Sequence, residues 1–465
     1  MNMTNVRRLT VMTFLGAGML SGISAQVSPL QVDTLKETKI PAQWDLQSCI
    51  DYAKEQNITI RKNRITAAST QIDVKTAKAA LFPSLSFSTS QQVVNRPYQE
   101  TSSRVSGSEI ISSNSKTSYN GNYGLNASWT LYNGNKRLKT IQQEKLNNQV
   151  AELDVATSEN SIQESIAQIY IQILYAAESV RVNENTLQVS IAQRDRGQEL
   201  LNAGSIAKSD LAQLEAQVST DRYQLVTAQA TLQDYKLQLK QLLELDGENE
   251  MNVYLPALSD ENVLLPLPTK KDVYMSALTL RPEIEASKLS VEASELGIDI
   301  AKAGYLPTIS LSAGIGTNHT SGSDFTFGEQ VKNGWNNSIG VSVSVPIFNN
   351  RQTKSAVQKA KLQRETSLLS LLDEQKTLYK TIEGLWLDAN SAQQRYAAAN
   401  EKLKSTQISY DLISEQFNLG MKNTVELLTE KNNLLQAQQE QLQAKYMAIL
   451  NTQLLKFYQG DKLAL

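Results

Sequence analysis

The chain of 465 residues carries 45 lysines and arginines, 47 aspartates and glutamates, one histidine and one cysteine. Such a balanced charge gives no indication of a nucleic-acid partner. A lone cysteine cannot form an internal disulfide, and the sequence contains no Cys/His cluster, phosphate-binding glycine loop or nucleophile elbow, so we expect no metal site, no cofactor and no enzymatic activity.

Residues 1–25 have the features of a secretory signal peptide. Two arginines precede an apolar stretch that ends in small residues. We therefore expect export of the remainder, which would begin with an extended segment at 26–43. Cys49 lies too far from the cleavage site to carry a lipid anchor, and no later apolar run reaches the roughly 18 residues of a transmembrane helix. If the mature chain enters a membrane, we expect it to do so as strands.

The rest of the chain is an internal duplication. Residues 80–86, Ala-Leu-Phe-Pro-Ser-Leu-Ser, return as Gly-Tyr-Leu-Pro-Thr-Ile-Ser at 304–310, and Leu-Asn-Ala-Gly at 201–204 returns as Phe-Asn-Leu-Gly at 417–420. Repetition of this kind indicates that one structural unit is used twice. The predicted divisions are a first repeat at 44–246, an equatorial linker rich in proline at 247–269, and a second repeat at 270–460. We expect the linker at mid-height of a long helical assembly.

Four segments alternate apolar and small polar residues with the period of two that predicts β-strands. They span about 84–92, 119–131, 308–316 and 338–348. Soluble β-sandwiches show the same alternation, but aromatic residues near the ends of these segments are typical of the interfacial girdle of a membrane barrel. These aromatic residues are Phe82, Trp129, Tyr132, Tyr305 and Phe348. Four strands cannot close a barrel, and open strand edges are not tolerated in lipid, so several chains would share one barrel.

Two segments rich in Ser, Thr and Asn join the paired strands. They span 93–118 and 317–335, and we predict that they are extracellular loops. His319 falls in the second of them, where we expect it to be exposed to solvent rather than catalytic.

Long helices are predicted on either side of two turns. Apolar heptads without proline predict helices at about 133–200 and 350–416, each near 100 Å at about 1.5 Å per residue. Return helices at about 206–246 and 422–459 would pack antiparallel on them, and shorter helices before Pro83 and Pro307 would cover the remaining length. Cys49 shares a helical face with apolar neighbours and is predicted to be a small buried side chain.

Several landmarks resemble the TolC family of outer-membrane efflux and secretion channels. Arg281-Pro282-Glu283 opens a helix, Ala-Gly-Tyr-Leu-Pro at 303–307 precedes a strand, and Phe-Asn-Leu-Gly at 417–420 is followed by Val-Glu-Leu-Leu at 425–428. The likeness covers about residues 44–460. It implies a mostly α fold with a transmembrane β part, in which a duplicated helix-strand-strand-helix repeat forms a long periplasmic helical barrel. Three identical chains would continue it as a shared β-barrel of twelve strands.

The same resemblance implies a function and partners. The chain would be the outer-membrane channel of a tripartite efflux system. It would contact outer-membrane lipid, bind a periplasmic adaptor, and receive small toxic compounds from an inner-membrane transporter driven by protons or ATP. One alternative is the outer-membrane component of a type I protein or peptide secretion system. Another is an exported coiled-coil spacer or adaptor that forms no channel.

The resemblance also suggests candidate site residues at the two turns. The adaptor would contact the tip turns, represented by Asn202, Gly204, Asn418 and Gly420. The periplasmic entrance would be lined by Asp210, Glu426 and Thr429, of which the two carboxylates would favour cations. An equally simple interpretation is that both carboxylates only stabilise the helix starts on which they lie.

Overall fold

The two longest helices of the structure have 67 residues each. The computed structural model describes residues 41–98, 102–106, 109–113, 116–246, 251–256, 263–321, 323 and 325–463. The predicted signal peptide and almost all of the predicted segment 26–43 lie outside the described residues. Gln43–Leu465 forms one unit by its internal contacts.

Both repeats have two helices, a pair of strands, a long helix and a return helix in the same order, and they differ in the short elements between the paired strands. The helices are α1 (Leu46–Gln56), α2 (Ile58–Ala79), α3 (Lys136–Asn202), α4 (Lys208–Leu242), α5 (Lys270–Leu280), α6 (Pro282–Lys302), α7 (Phe327–Asn333), α8 (Gln352–Asn418) and α9 (Thr424–Gln459). The strands are β1 (Ser84–Asn95), β2 (Ser102–Ser106), β3 (Glu109–Ser113), β4 (Thr117–Asn133), β5 (Thr308–Thr320) and β6 (Asn336–Ser344). The expected mostly helical fold with a small β part is confirmed.

One antiparallel sheet contains β1, β4, β5 and β6 in this order. β1 pairs with β4, and β5 pairs with β6, so each repeat contributes one pair. The central pairing of β4 with β5 joins the repeats and contains an irregularity between Thr130 and Tyr132. Among the described residues, no further strand pairs with the outer side of β1 or β6, which are therefore the edges of this sheet.

The same left-handed turn connects the sheet to the long helix in each repeat. Gly134 and Asn135 have φ angles of 68° and 64°, and Asn350 and Arg351, each 216 positions later, have 50° and 67°. Asn350 shows that the backbone angle alone does not require glycine. A Cβ at position 134 would lie only 2.9 Å from Leu306 Cβ, so the first repeat needs glycine there for space.

Shorter helices lie end to end along the two long ones. Next to the sheet the helices pack in the order α2, α3, α6, α8, and towards the turns in the order α4, α3, α9, α8. A long helix in each repeat thus spans the length that two shorter helices cover in succession, which is the arrangement that the heptads and prolines predict.

The linker between the repeats packs at the middle of α8. Trp386 donates from Nε1 to the Pro268 carbonyl at 3.0 Å, and Gln393 donates from Nε2 to the Val263 carbonyl at 2.9 Å. Trp44 pairs with Val253 as an isolated bridge and is buried in the same core. The start of the first repeat and the linker are therefore fastened together beside the long helices.

Cys49 is fully buried in this core, as its helical spacing predicts. Burial raises the pKa of its thiol to about 12.

The first residue of the Arg-Pro-Glu landmark has a structural role. Arg281 binds Glu164 of α3 and Glu283 of α6, both at 2.8 Å, and lies 4.1 Å from the ring centre of Tyr458 on α9. It thereby joins three helices at the start of α6.

Several bounds differ from those predicted. β6 ends at Ser344 rather than near 348, because Pro346 cannot donate to a strand ladder. The predicted loops contain β2, β3 and α7, the last begun by a capping box of Thr326 and Glu329. The return helix α4 ends at Leu242 instead of 246. In the two polar loop segments the spacing of apolar residues is too irregular to indicate a strand or a helix.

The prediction that His319 is a solvent-exposed loop residue is wrong. β5 continues to Thr320, and His319 is only 8% exposed. Its ring lies 5.2 Å from Tyr119 and 5.0 Å from Phe327 of α7, centre to centre. It pairs across the sheet with Gly121, where any Cβ would clash with the imidazole. The glycine in an otherwise aromatic face therefore leaves room for this ring.

Candidate functional site

The two tip turns have the same hydrogen bonds. After α3, the Gly204 and Ser205 amides donate to Leu201 and Leu200 at 2.9 and 2.8 Å. After α8, the amides of Gly420 and Met421 make the equivalent bonds, both at 2.9 Å. This pattern closes a helix with a left-handed residue, and both glycines have φ 73°. No atom lies within 4 Å of a Cβ built at either glycine, so the backbone angle alone favours glycine.

The predicted tip residues Asn202 and Asn418 are the last residues of α3 and α8, and they accept hydrogen bonds through different groups. The Asn202 side-chain oxygen accepts from Gln198 Nε2 at 3.0 Å. Asn418 accepts through its backbone carbonyl from Arg196 at 3.3 Å, which joins the two turns of one chain. Neither amide side chain contacts the other turn through a bond found in the described residues.

The predicted entrance carboxylates both cap helices. Asp210, at the third position of α4, accepts from the Ala207 amide at 3.0 Å. Glu426 forms a capping box with Asn423 at the start of α9 and accepts from the Lys422 ammonium at 2.6 Å. That bond lowers the pKa of Glu426 below its usual range. The two carboxylates occupy equivalent places, but among the described residues only Glu426 forms an ion pair.

Thr429 lies one turn further along α9. Its hydroxyl donates to the Val425 carbonyl at 2.8 Å, and its side chain is exposed. The structure therefore brings Thr429 and Glu426 to one helix start, whereas Asp210 lies at the start of α4.

The second turn exposes apolar side chains that the first does not. Leu419 and Met421 are 70% and 68% exposed, and Val425 is also exposed. Their equivalents in the first repeat, 216 positions earlier, are Ala203, Ser205 and Ser209. The two turns thus share a backbone and differ in surface chemistry.

A small apolar core joins the two hairpins just above the turns. Leu214 of α4, Phe417 of α8 and Leu427 of α9 are buried against one another. Gln193 of α3 also donates to the Tyr410 hydroxyl of α8 at 2.8 Å. Hairpin α3–α4 and hairpin α8–α9 of one chain are therefore packed together near their tips.

A buried ion pair lies next to this core, and sequence reasoning missed it. Lys431 of α9 binds Asp221 of α4, and both bind the Ser190 hydroxyl of α3. The two charged side chains are only 4% and 3% exposed. Asp221 also accepts from Gln217 at 2.9 Å. Burial lowers the pKa of Lys431. The sequence does contain one indication of this pair, because each return helix has a charged residue at a position of its apolar seam, and charged residues are rarely buried without a partner.

Within the described ranges, no group of three or more His, Cys, Asp and Glu side chains is arranged to hold a metal ion. Of the helices that the structure describes, none has both the length and the apolar character required to cross a membrane.

Comparisons with known proteins identify similar chains of one kind. Residues 49–244 and 273–460 match the family model described as outer membrane efflux protein. The outer membrane protein TolC of Escherichia coli (strain K12) is 25% identical over 317 residues, which cover 65% of this chain and 62% of TolC. The chain thus spans less than two thirds of the length of this relative.

Two solved structures share the fold. The CmeC outer membrane channel of Campylobacter jejuni has a TM-score of 0.73 at 18% identity, covering 90% of this chain and 87% of its own. The MtrE outer membrane channel of Neisseria gonorrhoeae, solved in its open state, has a TM-score of 0.70 at 18% identity, covering 89% and 88%. The pairing of long helices with a four-stranded sheet is thus found in proteins described as channels.

Proposed function

Because this chain belongs to the outer membrane efflux protein family, we propose that it forms a passive outer-membrane channel in a tripartite efflux system. An inner-membrane transporter would pass small toxic compounds through a periplasmic adaptor into the helical part of the channel. The observation that carries the proposal is a sheet whose two edges are unpaired among the described residues, and from which each repeat passes through a short connection into a helix of 67 residues. No catalytic step is required of such a channel.

The sheet edges support assembly from several copies. β1 and β6 expose apolar side chains such as Phe87, Val341 and Val343. Unpaired edge groups are too costly in a bilayer to remain open. If β1 of one copy pairs with β6 of the next, every edge is paired when the ring closes. Three copies would supply twelve strands, within the size range of membrane barrels.

The helix at each end of the layer carries an exposed apolar stripe. On α2, Ile58, Ile65 and Ile72 are exposed at intervals of seven residues, and Ile65 is 61% exposed. On α8, Leu362, Leu369 and Leu372 are exposed, with Leu369 at 60%. Apolar residues spaced by heptads favour helix-helix packing. Since the two stripes differ, contact between them would be head-to-tail, which is the type of interface that closes into rings.

The tip turns would contact the adaptor. The exposed Leu419 and Met421 give the second turn an apolar surface suited to burial against a partner, whereas the first turn offers mainly small and polar groups. We propose that the second turn of each copy contributes more to adaptor binding.

Assembly and conductance of the mature protein test the proposal together. We expect a detergent-extracted complex with the mass of three chains that conducts ions in a planar bilayer. Ile65→Glu or Leu369→Glu should reduce assembly because a charge would enter the contact between copies, whereas Ile65→Leu should not. A monodisperse single chain that does not conduct would refute the channel and favour a coiled-coil spacer.

Cargo can be tested on the same assembled protein. Cells that lack the channel should regain tolerance of small toxic compounds when it is restored. Recovery of peptide or protein secretion without any change in tolerance would favour the secretion system instead.

A further inference from the structure

We propose that α7 lies against lipid of the outer leaflet, at the boundary between headgroups and hydrocarbon, where the ring of His319 holds it on the lipid side of the sheet. The inference rests on the proposed channel, because it requires the sheet to form part of a barrel in a bilayer. The long helices begin at one end of the sheet and extend into the periplasm. Since α7 follows the opposite end of β5, it lies at the end of the sheet that faces the cell surface.

One face of the sheet is apolar and exposed. Cross-strand partners share a face, and successive residues of a strand alternate between the two faces. Phe87 pairs with Leu125, which pairs with Ile315. Leu311 lies on the same face as Ile315 and pairs with Val341, which is 65% exposed. The opposite face carries mainly Ser, Asn and Gly. A barrel in lipid turns its apolar face outward.

The short helix α7 packs on this apolar face. His319 is four positions after Ile315 on β5 and therefore lies on the same side of the sheet. The Phe327 ring of α7 lies 5.0 Å from the His319 ring, centre to centre. Thr317, also on this face, donates from its hydroxyl to the Val331 carbonyl of α7 at 2.6 Å. The helix is thus attached to the lipid side of the sheet and not to the polar side.

An aromatic boundary lies at the other end of the same face. The irregularity in β4 lets Tyr132 pair with Ile309, and Trp129 pairs with Leu311. His319 is ten positions after Ile309, which is about 33 Å along a strand at about 3.3 Å per residue. At a strand tilt of about 40°, this length spans about 25 Å of membrane, the height of the apolar band in membrane barrels. The position of α7 therefore coincides with the second boundary of that band.

Three exposed aromatic side chains are grouped around α7. Phe325 precedes the helix, Phe327 is its first residue and Trp335 follows it, and they are 53%, 45% and 58% exposed. Trp335 is two positions before Asn337, which pairs with Ile315 on the apolar face. Aromatic rings are enriched where hydrocarbon meets headgroups. Because α7 packs on the apolar face, lipid that covers the sheet would contact these rings as well.

The polar groups at the start of α7 are bonded within the chain. Glu329 accepts from the amide and the hydroxyl of Thr326, both at 2.8 Å. The Gln330 side chain accepts from the Thr320 amide at 2.8 Å and donates to the Phe325 carbonyl at 2.9 Å. Backbone groups without partners are costly where water is scarce. These bonds therefore suit α7 to a boundary with hydrocarbon.

Fluorescence quenching by brominated phospholipid tests the inference on the assembled protein in phosphatidylcholine vesicles. The chain has four tryptophans, and the difference between the unsubstituted protein and Trp335→Phe isolates the emission of Trp335. This emission should be strongly reduced by bromine near the glycerol end of the acyl chains, less by bromine near their methyl ends, and little by aqueous iodide. Quenching by iodide alone would place α7 in water, and quenching by neither would place it against protein. Either result would overturn the inference.

Trp129 is the matched control for insertion of the sheet, because it lies on the same face at the other boundary and is 38% exposed. Its emission is isolated with Trp129→Phe. If lipid quenches Trp129 and not Trp335, only the inference about α7 fails. If lipid quenches neither and the vesicles do not conduct, the proposed channel fails as well. Conductance of the unsubstituted protein makes the same distinction if Trp129→Phe does not assemble.

Gly121→Ala tests whether His319 holds α7 in place. A Cβ at this position clashes with the imidazole, so the substitution should displace the ring and shift the quenching of Trp335 from lipid towards iodide. Gly316→Ala is the control, because the nearest atom to its Cβ lies 3.5 Å away, and it should leave Trp335 quenched by lipid. Equal quenching of Trp335 in the two variants would overturn the role assigned to His319.

Discussion

Removal of Asp221 should cost far more stability than removal of an exposed carboxylate in an ion pair of similar type. Asp221→Ala leaves the Lys431 ammonium 4% exposed without a counter-charge. Breaking a buried pair in this way typically costs about 3–5 kcal/mol. Glu440→Ala breaks the pair of Glu440 with Lys402, whose side chains are 41% and 42% exposed at 2.8 Å, and should cost less than about 1 kcal/mol.

The double variant separates the unpaired charge from the loss of packing. Lys431→Met retains most of the apolar stem and removes the charge, so Asp221→Ala with Lys431→Met should recover most of the loss seen for Asp221→Ala. Denaturant unfolding of the detergent-solubilised assembly, followed by helical circular dichroism, would measure the three variants against the unsubstituted protein. If Asp221→Ala is no more destabilising than Glu440→Ala, the pair is not buried in the assembled protein and the reasoning fails.

Three further predictions concern the core and the tips. Burial raises the pKa of the Cys49 thiol to about 12 from 9.0. The unfolded chain therefore loses this proton more readily, and the free energy of unfolding should fall by up to about 4 kcal/mol as the pH rises from 9 to 12. Cys49→Ala should remove this dependence of the thermal midpoint on pH. Neutralising Asp210 and Glu426 with amides should reduce cation selectivity measured by reversal potential, and unchanged selectivity would leave both carboxylates as helix caps only. Met421→Ser should weaken adaptor binding several-fold in a pull-down titration, whereas Ser205→Ala, at the equivalent place in the first turn, should have little effect.

Features carried by a repeating pattern could be predicted from the sequence. The long helices begin and end within about three residues of the predicted bounds because their heptads are continuous and both turns contain glycine. β1 and β4 follow the alternation of apolar and small polar residues. Cys49 was predicted to be buried from its helical spacing alone, and it is.

Features that depend on contacts between distant segments could not be predicted in this way. Lys431, Asp221 and Ser190 lie on three helices. The seam positions of Lys431 and Asp221 indicate that each needs a partner, but not which residue supplies it. The polar and glycine-rich surroundings of His319 in the sequence predict a loop, while its burial depends on Tyr119 and Phe327 from other elements. A local pattern contains no information about such partners.

The duplication itself contains information that neither repeat contains alone. Where both repeats keep a residue type, as at the tip glycines, the requirement is set by the backbone, which is the same in both. Where they differ in charge at a buried position, the difference indicates that the side chains around the two positions also differ. Lys431 occupies the position in the second repeat that Glu215 occupies in the first, and Met421 likewise corresponds to Ser205. Lys431 binds Asp221 within the chain, whereas Glu215 forms no ion pair among the described residues. The exposed Met421 distinguishes the second tip turn from the first. Divergence between the repeats at such positions therefore indicates where their surroundings differ although their backbones are alike.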